Sequence, residues 1–245
     1  MRRLFRLPLL QTLFLVLLGA YGAAAENSME AEEKESDAAA RLVGAMLGDT
    51  PLLSDLHYLT DIIGSRPVGS ASNRASVDWA VDVLRESKVE AWQEGFEMPS
   101  LWLAEGVEMS VTGDTQLSPE AVAKTYSAVV KNLTAPVVDG GFGTKSDFRR
   151  LGKASKDAWV LVETPVLDDK VGISGLFREY AEEPGIEKAA AAAGVAGVIY
   201  MSSRPQNLLY HKDAATGNDN KLPLFVMERE PASRMLRILR AGGSL

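Results

Sequence analysis

The sequence predicts an α/β protein, and three observations carry that expectation. Ala158–Val162, Val195–Met201 and Leu224–Met227 are short apolar runs with the length of strands buried on both faces. The first two bracket a helical stretch, Gly175–Ala193, so strand, helix and strand follow in the order that favours parallel pairing through a crossover. Near the other end, two adjacent amphipathic helices carry apolar stripes that need a flat surface to lie on.

Composition sets the limits. The chain has 245 residues, 46% hydrophobic and 24% charged, enough for one large domain or two small ones with a real core. Its formal charge of −7 leaves no basic footprint, so nucleic acid is not an expected partner. There is no cysteine. Disulfides, thiolate metal sites and a lipid-anchored cysteine are therefore excluded. Arg2, Arg3 and Arg6 precede the apolar run Leu7–Leu18, and Ala23-Ala24-Ala25 offers a small-residue cleavage site. Residues 1–25 read as a secretory signal peptide, which predicts a secreted or periplasmic protein with no membrane attachment after cleavage.

Element by element, Glu26–Asp37 is acidic and polar and reads as a disordered leader, followed by a short helix over Ala38–Leu47 closed by Gly48. Thr50 is an expected N-cap and Pro51 a first helical residue. Leu52, Leu56, Leu59 and Ile63 then recur at helical spacing. A corner follows at Ile63-Gly64-Ser65-Arg66-Pro67-Val68-Gly69-Ser70. Gly64 can end the first helix in a left-handed conformation, and Pro67 forbids its continuation. Gly69 is permissive, and Ser70 can cap the next helix, Ala71–Ser87. From spacing alone Arg66 is a solvated turn residue. Val89–Met98 and Leu101–Val111 alternate like strands, Thr115–Ala123 looks like a loop, and Tyr126–Val130 and Ala135–Val138 look like short strands of a β-rich layer. Lys145–Leu151 is an expected short helix. The helix over Gly175–Ala193 should break at Pro184-Gly185. Ser202–Leu222 is a long polar loop, and a last helix starts at Pro231 and ends at Gly242-Gly243.

The chemical inventory is thin. His57 on the first helix reads as structural, and His211 sits in the polar loop as a possible substrate or partner contact. His211-Lys212-Asp213 has a spacing some zinc sites use, but no second histidine lies near it. There is neither an H-E-x-x-H motif nor a G-x-S-x-G elbow. Gly140-Gly141-Phe142-Gly143-Thr144-Lys145-Ser146 lacks the glycine that a phosphate loop places directly before its lysine, so a strand-exit turn is the better account. Glu182-Glu183 and Asp168-Asp169 read as solvated pairs. Asn132-Leu133-Thr134 matches a glycosylation acceptor. No catalytic residue and no metal ligand is assigned from these patterns.

The order of segments adds a resemblance. Leu56-x-x-Leu59, the Gly64–Ser70 corner, the Trp79-Ala80 helix and Phe96-Glu97-Met98-Pro99-x-x-Trp102 together resemble the N-terminal part of secreted zinc exopeptidases of the carboxypeptidase Q (plasma glutamate carboxypeptidase) and bacterial zinc aminopeptidase family. Val138–Gly143, Lys156–Val162, Lys188–Ile199 and Leu222–Val226 resemble the protease-associated (PA) domain inserted in that family. The resemblance implies a fold in two parts: the N-terminal helical piece of an incomplete zinc-exopeptidase α/β domain over 50–112, after a leader over 26–49, and a PA-type α/β domain with a small β-rich layer over 113–245. In the family the zinc ligands follow the PA insertion, where the chain returns to the catalytic sheet. The expectation is therefore that this chain binds no cofactor itself, that zinc belongs to a full-length relative, and that the chain is inactive alone. Its expected partners are a peptide substrate or the missing catalytic domain. The alternative is a free-standing, non-catalytic PA-type module that binds proteins or peptides.

Overall fold

Beyond Glu94 the apolar runs pair as their composition demands. The computed structural model describes residues 36–167 and 177–245. The expected signal peptide, nearly all of the acidic leader and Asp168-Asp169 lie outside the described residues. The chain divides into two compact units, Met1–Gln93 and Glu94–Leu245.

The second unit is built on a five-stranded sheet in the order β1-β5-β4-β3-β2. The strands are β1 (Ala121–Ala123), β2 (Val137–Asp139), β3 (Trp159–Val162), β4 (Gly197–Met201) and β5 (Leu224–Met227). β2, β3, β4 and β5 run parallel, with Val138 opposite Val160, Val160 opposite Val198 and Tyr200 opposite Val226. β1 closes one edge antiparallel to β5. Every residue of β4 and β5 is buried, as expected of strands covered on both faces.

The period-2 alternation of the strands sorts the core into two layers. Val160, Val162, Val198, Tyr200 and Val226 pack on one face with Phe148, Ile186 and Ala190. These last three come from the helices Lys145–Leu151 and Arg178–Ala193. Leu161, Ile199, Met201 and Met227 point the other way and meet Ala232, Met235 and Leu236 of the helix Arg229–Arg240. The Gly140–Gly143 turn lets the chain leave β2 and start the next helix within a few residues. A side chain at Gly140 would drive into Val160 and the Leu161 carbonyl. Thr144 and Asp147 then form a capping box at the helix start.

Counting every helix in chain order, residues 36–47 form α1, with Asp37 already helical although it was expected in the disordered leader. Then come α2 (Leu52–His57), α3 (Ala71–Glu86), α4 (Lys145–Leu151), α5 (Arg178–Ala193) and α6 (Arg229–Arg240). In the first unit the expected helix begins as α2 but continues from Tyr58 to Ile63 with π-helical bonding. Pro51, rather than Thr50, takes the N-cap position, and no side chain caps it. α3 starts as expected, because the Ser70 hydroxyl accepts from the Asn73 N–H. Tyr58 and Trp79 bring their rings within 5.6 Å. Neither α2 nor the π-helical turn buries a residue, and α3 buries Val81 alone.

Several expectations are corrected. Val89–Met98 and Leu101–Val111 form no strand; Val111 makes only an isolated bridge to Leu117. The alternation at Val107, Met109 and Val111 is real, but it docks side chains onto the α6 face of the core without a neighbouring strand. Tyr126–Val130 is likewise no strand: Tyr126 has φ 67°, and the strand falls earlier, at Ala121–Ala123, inside the expected loop. Both short strands belong to the one sheet, so no separate β-rich layer exists among the described residues. α5 runs unbroken through Pro184. Pro184 and Gly185 face solvent, where water can serve the carbonyl that proline leaves without its donor, while Ile186 and Ala190 hold the helix to the sheet. α6 begins at Arg229, two residues before Pro231.

Candidate functional site

The most concentrated chemistry lies under α5. Glu179, Glu183 and Glu187 stand four residues apart, which puts them in a row on one helix face. All three are buried, with Glu183 only 7% exposed. Glu182-Glu183 is therefore not a solvated pair: Glu182 faces out and bonds Arg178 at 2.8 Å, while Glu183 turns in. Two lysines distant in sequence meet the row. Lys124, directly after β1 and 0% exposed, donates to Glu183 at 2.7 Å and to Glu187 at 2.6 Å. Lys212 donates to Glu179 at 2.8 Å and to Glu183.

Further donors complete the network. The Ala215 N–H reaches Glu187 at 2.7 Å, and the Tyr210 hydroxyl reaches Glu179 at 2.9 Å. Lys124 also lies 4.8 Å from the centre of the Tyr200 ring. Burial pushes the Glu179 carboxyl upward, but the Lys212 and Ser203 hydrogen bonds, the Lys212 charge and Tyr210 outweigh it and hold the group below its usual value. Burial and the neighbouring Glu179 push the Tyr210 phenol well up. Ion pairs this well bonded persist in a low-dielectric interior only because nearly every charge has a partner. Lys124 and Lys212 each bridge two of the three glutamates, an arrangement that ties α5 to the strand end and to the polar loop.

This network changes the reading of the polar loop. His211 itself is exposed, with Nδ1 at 3.1 Å from the Ala123 carbonyl. Its neighbour Lys212 is buried, and the loop is tied down by Thr125 N–H to Lys212 O at 2.7 Å and Ala214 N–H to Thr125 O at 2.8 Å. Asn220 fixes the far end through the Tyr126 and Leu222 carbonyls. Asp213 is exposed beside this anchor. Sequence reasoning missed Lys124, Lys212, Glu179, Glu183 and Glu187. The four-residue glutamate spacing was the signal within reach; the lysine partners, 59 and 29 residues from Glu183, gave none.

In the first unit, Gly64, Arg66, Gly69 and Ser70 do come together. Gly64 has φ 76° and ψ −145°, positive as expected but outside the left-handed helical well. The Arg66 guanidinium donates to the carbonyls of Leu59 and Gly64, so it caps the preceding helix instead of pointing into solvent unpaired. Gly69 N–H bonds the Asn73 side chain at 3.1 Å, and Ser72 Oγ bonds the Ser65 carbonyl at 2.6 Å. The corner's polar groups serve one another, which makes it a backbone device. His57 pairs with Asp61 on the exposed helix face at 2.6 Å.

A metal requires convergent ligands. Among the described residues there is no group of three or more His, Cys, Asp or Glu side chains that could hold one, so the described residues do not fit a zinc site. No described helix is long and apolar enough to cross a membrane.

With the geometry in place, comparison with solved structures shows a mixed α/β fold similar to that of known peptidases. It superposes on a Peptidase M28 precursor from Shewanella amazonensis with TM-score 0.61 at 17% identity, covering 78% of this chain and 44% of that one. It superposes on BSAP, a zinc aminopeptidase from Bacillus subtilis, with TM-score 0.50 at 20% identity, covering 75% of this chain and 40% of that one. The chain thus spans less than half the length of either. No protein-family model matches it, and no curated protein matches by sequence.

Proposed function

We propose that this chain is the N-terminal portion of a secreted zinc-dependent exopeptidase, carrying part of the peptidase domain and a PA-type domain, and that it is inactive by itself. The observation that carries the reading is the lopsided match to the Peptidase M28 precursor, which takes in most of this chain but under half of the other. The exposed apolar stripe of the first unit supports it, because such a face needs a covering surface. Within this reading the chain is of the carboxypeptidase Q type, and the His211–Asn220 loop is the substrate- or partner-facing edge of the PA-type part. Among the described residues no cluster of side chains fits a metal, so no step of peptide hydrolysis is assigned to them. The test is direct: the purified chain is loaded with zinc, dialysed, and assayed for bound metal and for turnover of aminoacyl anilides and dipeptides. The expected result is neither. Stoichiometric zinc with peptide turnover would overturn it. A second reading, a non-catalytic PA-type binding module, is favoured by the self-contained core of the second unit. Reading the gene past codon 245 separates the two: an open frame carrying zinc-ligand motifs supports the exopeptidase, and a stop codon supports the module.

A further inference from the structure

The stretch Val107–Thr112 is built like a strand and lacks a neighbour along one edge. Val107, Met109 and Val111 pack inward against the α6 layer of the core, while Glu108, Ser110 and Thr112 face solvent. Val111 exchanges both of its backbone hydrogen bonds with Leu117, at 2.9 and 3.0 Å. Successive residues of an extended chain aim their N–H and C=O at opposite edges. Glu108, Ser110 and Thr112 therefore present theirs at the edge away from Leu117, and none of the three has a backbone partner among the described residues. A row of unused N–H and C=O groups along a packed segment is a template for another strand.

The last residues of the chain arrive beside this stretch. Asp114 N–H donates to the Ser244 carbonyl at 2.9 Å, and Ser244 N–H donates to the Asp114 carboxylate at 2.8 Å. The two backbones touch at Gly113, where a side chain would collide with the Ser244 carbonyl. Leu245 packs on the same core layer as Val107 and Met109, and its carbonyl accepts from Val137 N–H at 3.1 Å. Asp114 opposite Ser244 also sets an antiparallel register. In that register the first residue past Leu245 falls opposite Thr112, the third opposite Ser110 and the fifth opposite Glu108. These are the three residues whose backbone groups are unused.

We propose that this edge is the docking site of the polypeptide that continues from Leu245, which pairs antiparallel with Glu108–Thr112. The alternation of Val107, Met109 and Val111 is then that of a strand whose partner is the following segment. The inference rests on the reading of this chain as the N-terminal portion of a longer protein, and it deepens that reading by naming where the next segment lies.

The experiment compares amide hydrogen exchange, read residue by residue by NMR, in the 245-residue chain and in the same chain extended by the stretch its gene encodes next, long enough to pass Glu108. In the extended chain the amides of Glu108, Ser110 and Thr112 should slow about tenfold or more, the scale of one hydrogen bond. The Met109 amide, aimed at the other edge, should keep its rate. Proline at the third position past Leu245 removes the donor that faces Ser110 and should speed exchange there again, while proline at the second position, whose N–H points away, should not. Both prolines lie outside the 245 residues, so the second unit folds with either. Equal rates in the two chains, slowing of Val107–Thr112 without alternation, or equal effects of the two prolines overturns the pairing and leaves the peptidase reading standing. Slow Ser110 and Thr112 amides already in the 245-residue chain would mean that a second copy covers the edge, and overturn it too. A stop codon directly after Leu245 overturns both the pairing and the reading.

Discussion

The two units handle similar residues in opposite ways. In the first, the helices carry Leu52, Leu53, Leu56 and Ile62 at regular spacing, yet Leu53 is 77% exposed and Val81 is the one buried residue of α3. In the second, runs no longer than five residues are buried almost completely, because a sheet lies between two helical layers. The lesson concerns where stability resides. An apolar stripe contributes only when something covers it, so the second unit has a core, while the described part of the first relies mostly on helix propensity, caps and contacts such as that of Tyr58 with Trp79.

That contrast can be broken or sharpened by mutation. The largest effect should come from Lys124→Met, which strands Glu183 and Glu187 in the interior. Urea unfolding of the second unit should show a loss of about 3–5 kcal/mol, and the double change with Glu187→Gln should recover part of it. Leu236→Ala, in the fully covered α6 layer, should cost about 2–5 kcal/mol in the same measurement. Next comes acid sensitivity. Glu179 is held below its usual value in the folded state, so it adds stability above the ordinary glutamate range, and that stability is lost as pH falls through the lowered value. Stability curves from pH 6 down to pH 2 should therefore steepen below about pH 4.5, and Glu179→Gln should flatten that limb. Ser70→Ala removes the cap on α3 and should cost about 1 kcal/mol of helix stability, read by circular dichroism or hydrogen exchange in α3. Leu53→Ala should change unfolding by less than about 0.5 kcal/mol. A cost near that of Leu236→Ala would mean the stripe is covered in solution and would collapse the contrast.

Much of the second unit's frame was legible. The runs of β3, β4 and β5 and the helix between β3 and β4 declared themselves, because strands covered on both faces must be continuously apolar. The corner at Gly64–Ser70 was also legible, since glycine, proline and serine act locally on the backbone. The first unit's other boundaries were less so. Tyr58–Ile63 adopts π-type bonding that no periodicity announces. Val107, Met109 and Val111 alternate as a strand would, but pairing needs a partner, and only Val111 finds one, in an isolated bridge to Leu117. Pro184 sits in an unbroken helix because its exposed side can be served by water while its neighbours are packed.

The candidate site divides along the same line. By itself the sequence determined the α/β class, the positions of the buried runs, the Ser70 cap and the four-residue spacing of Glu179, Glu183 and Glu187, all of which depend on near neighbours in the chain. Only the tertiary structure decided that those glutamates turn inward and that Lys124 and Lys212 meet them. A charge reads as solvated until the fold brings a partner to it, and partners separated by tens of residues leave no local trace.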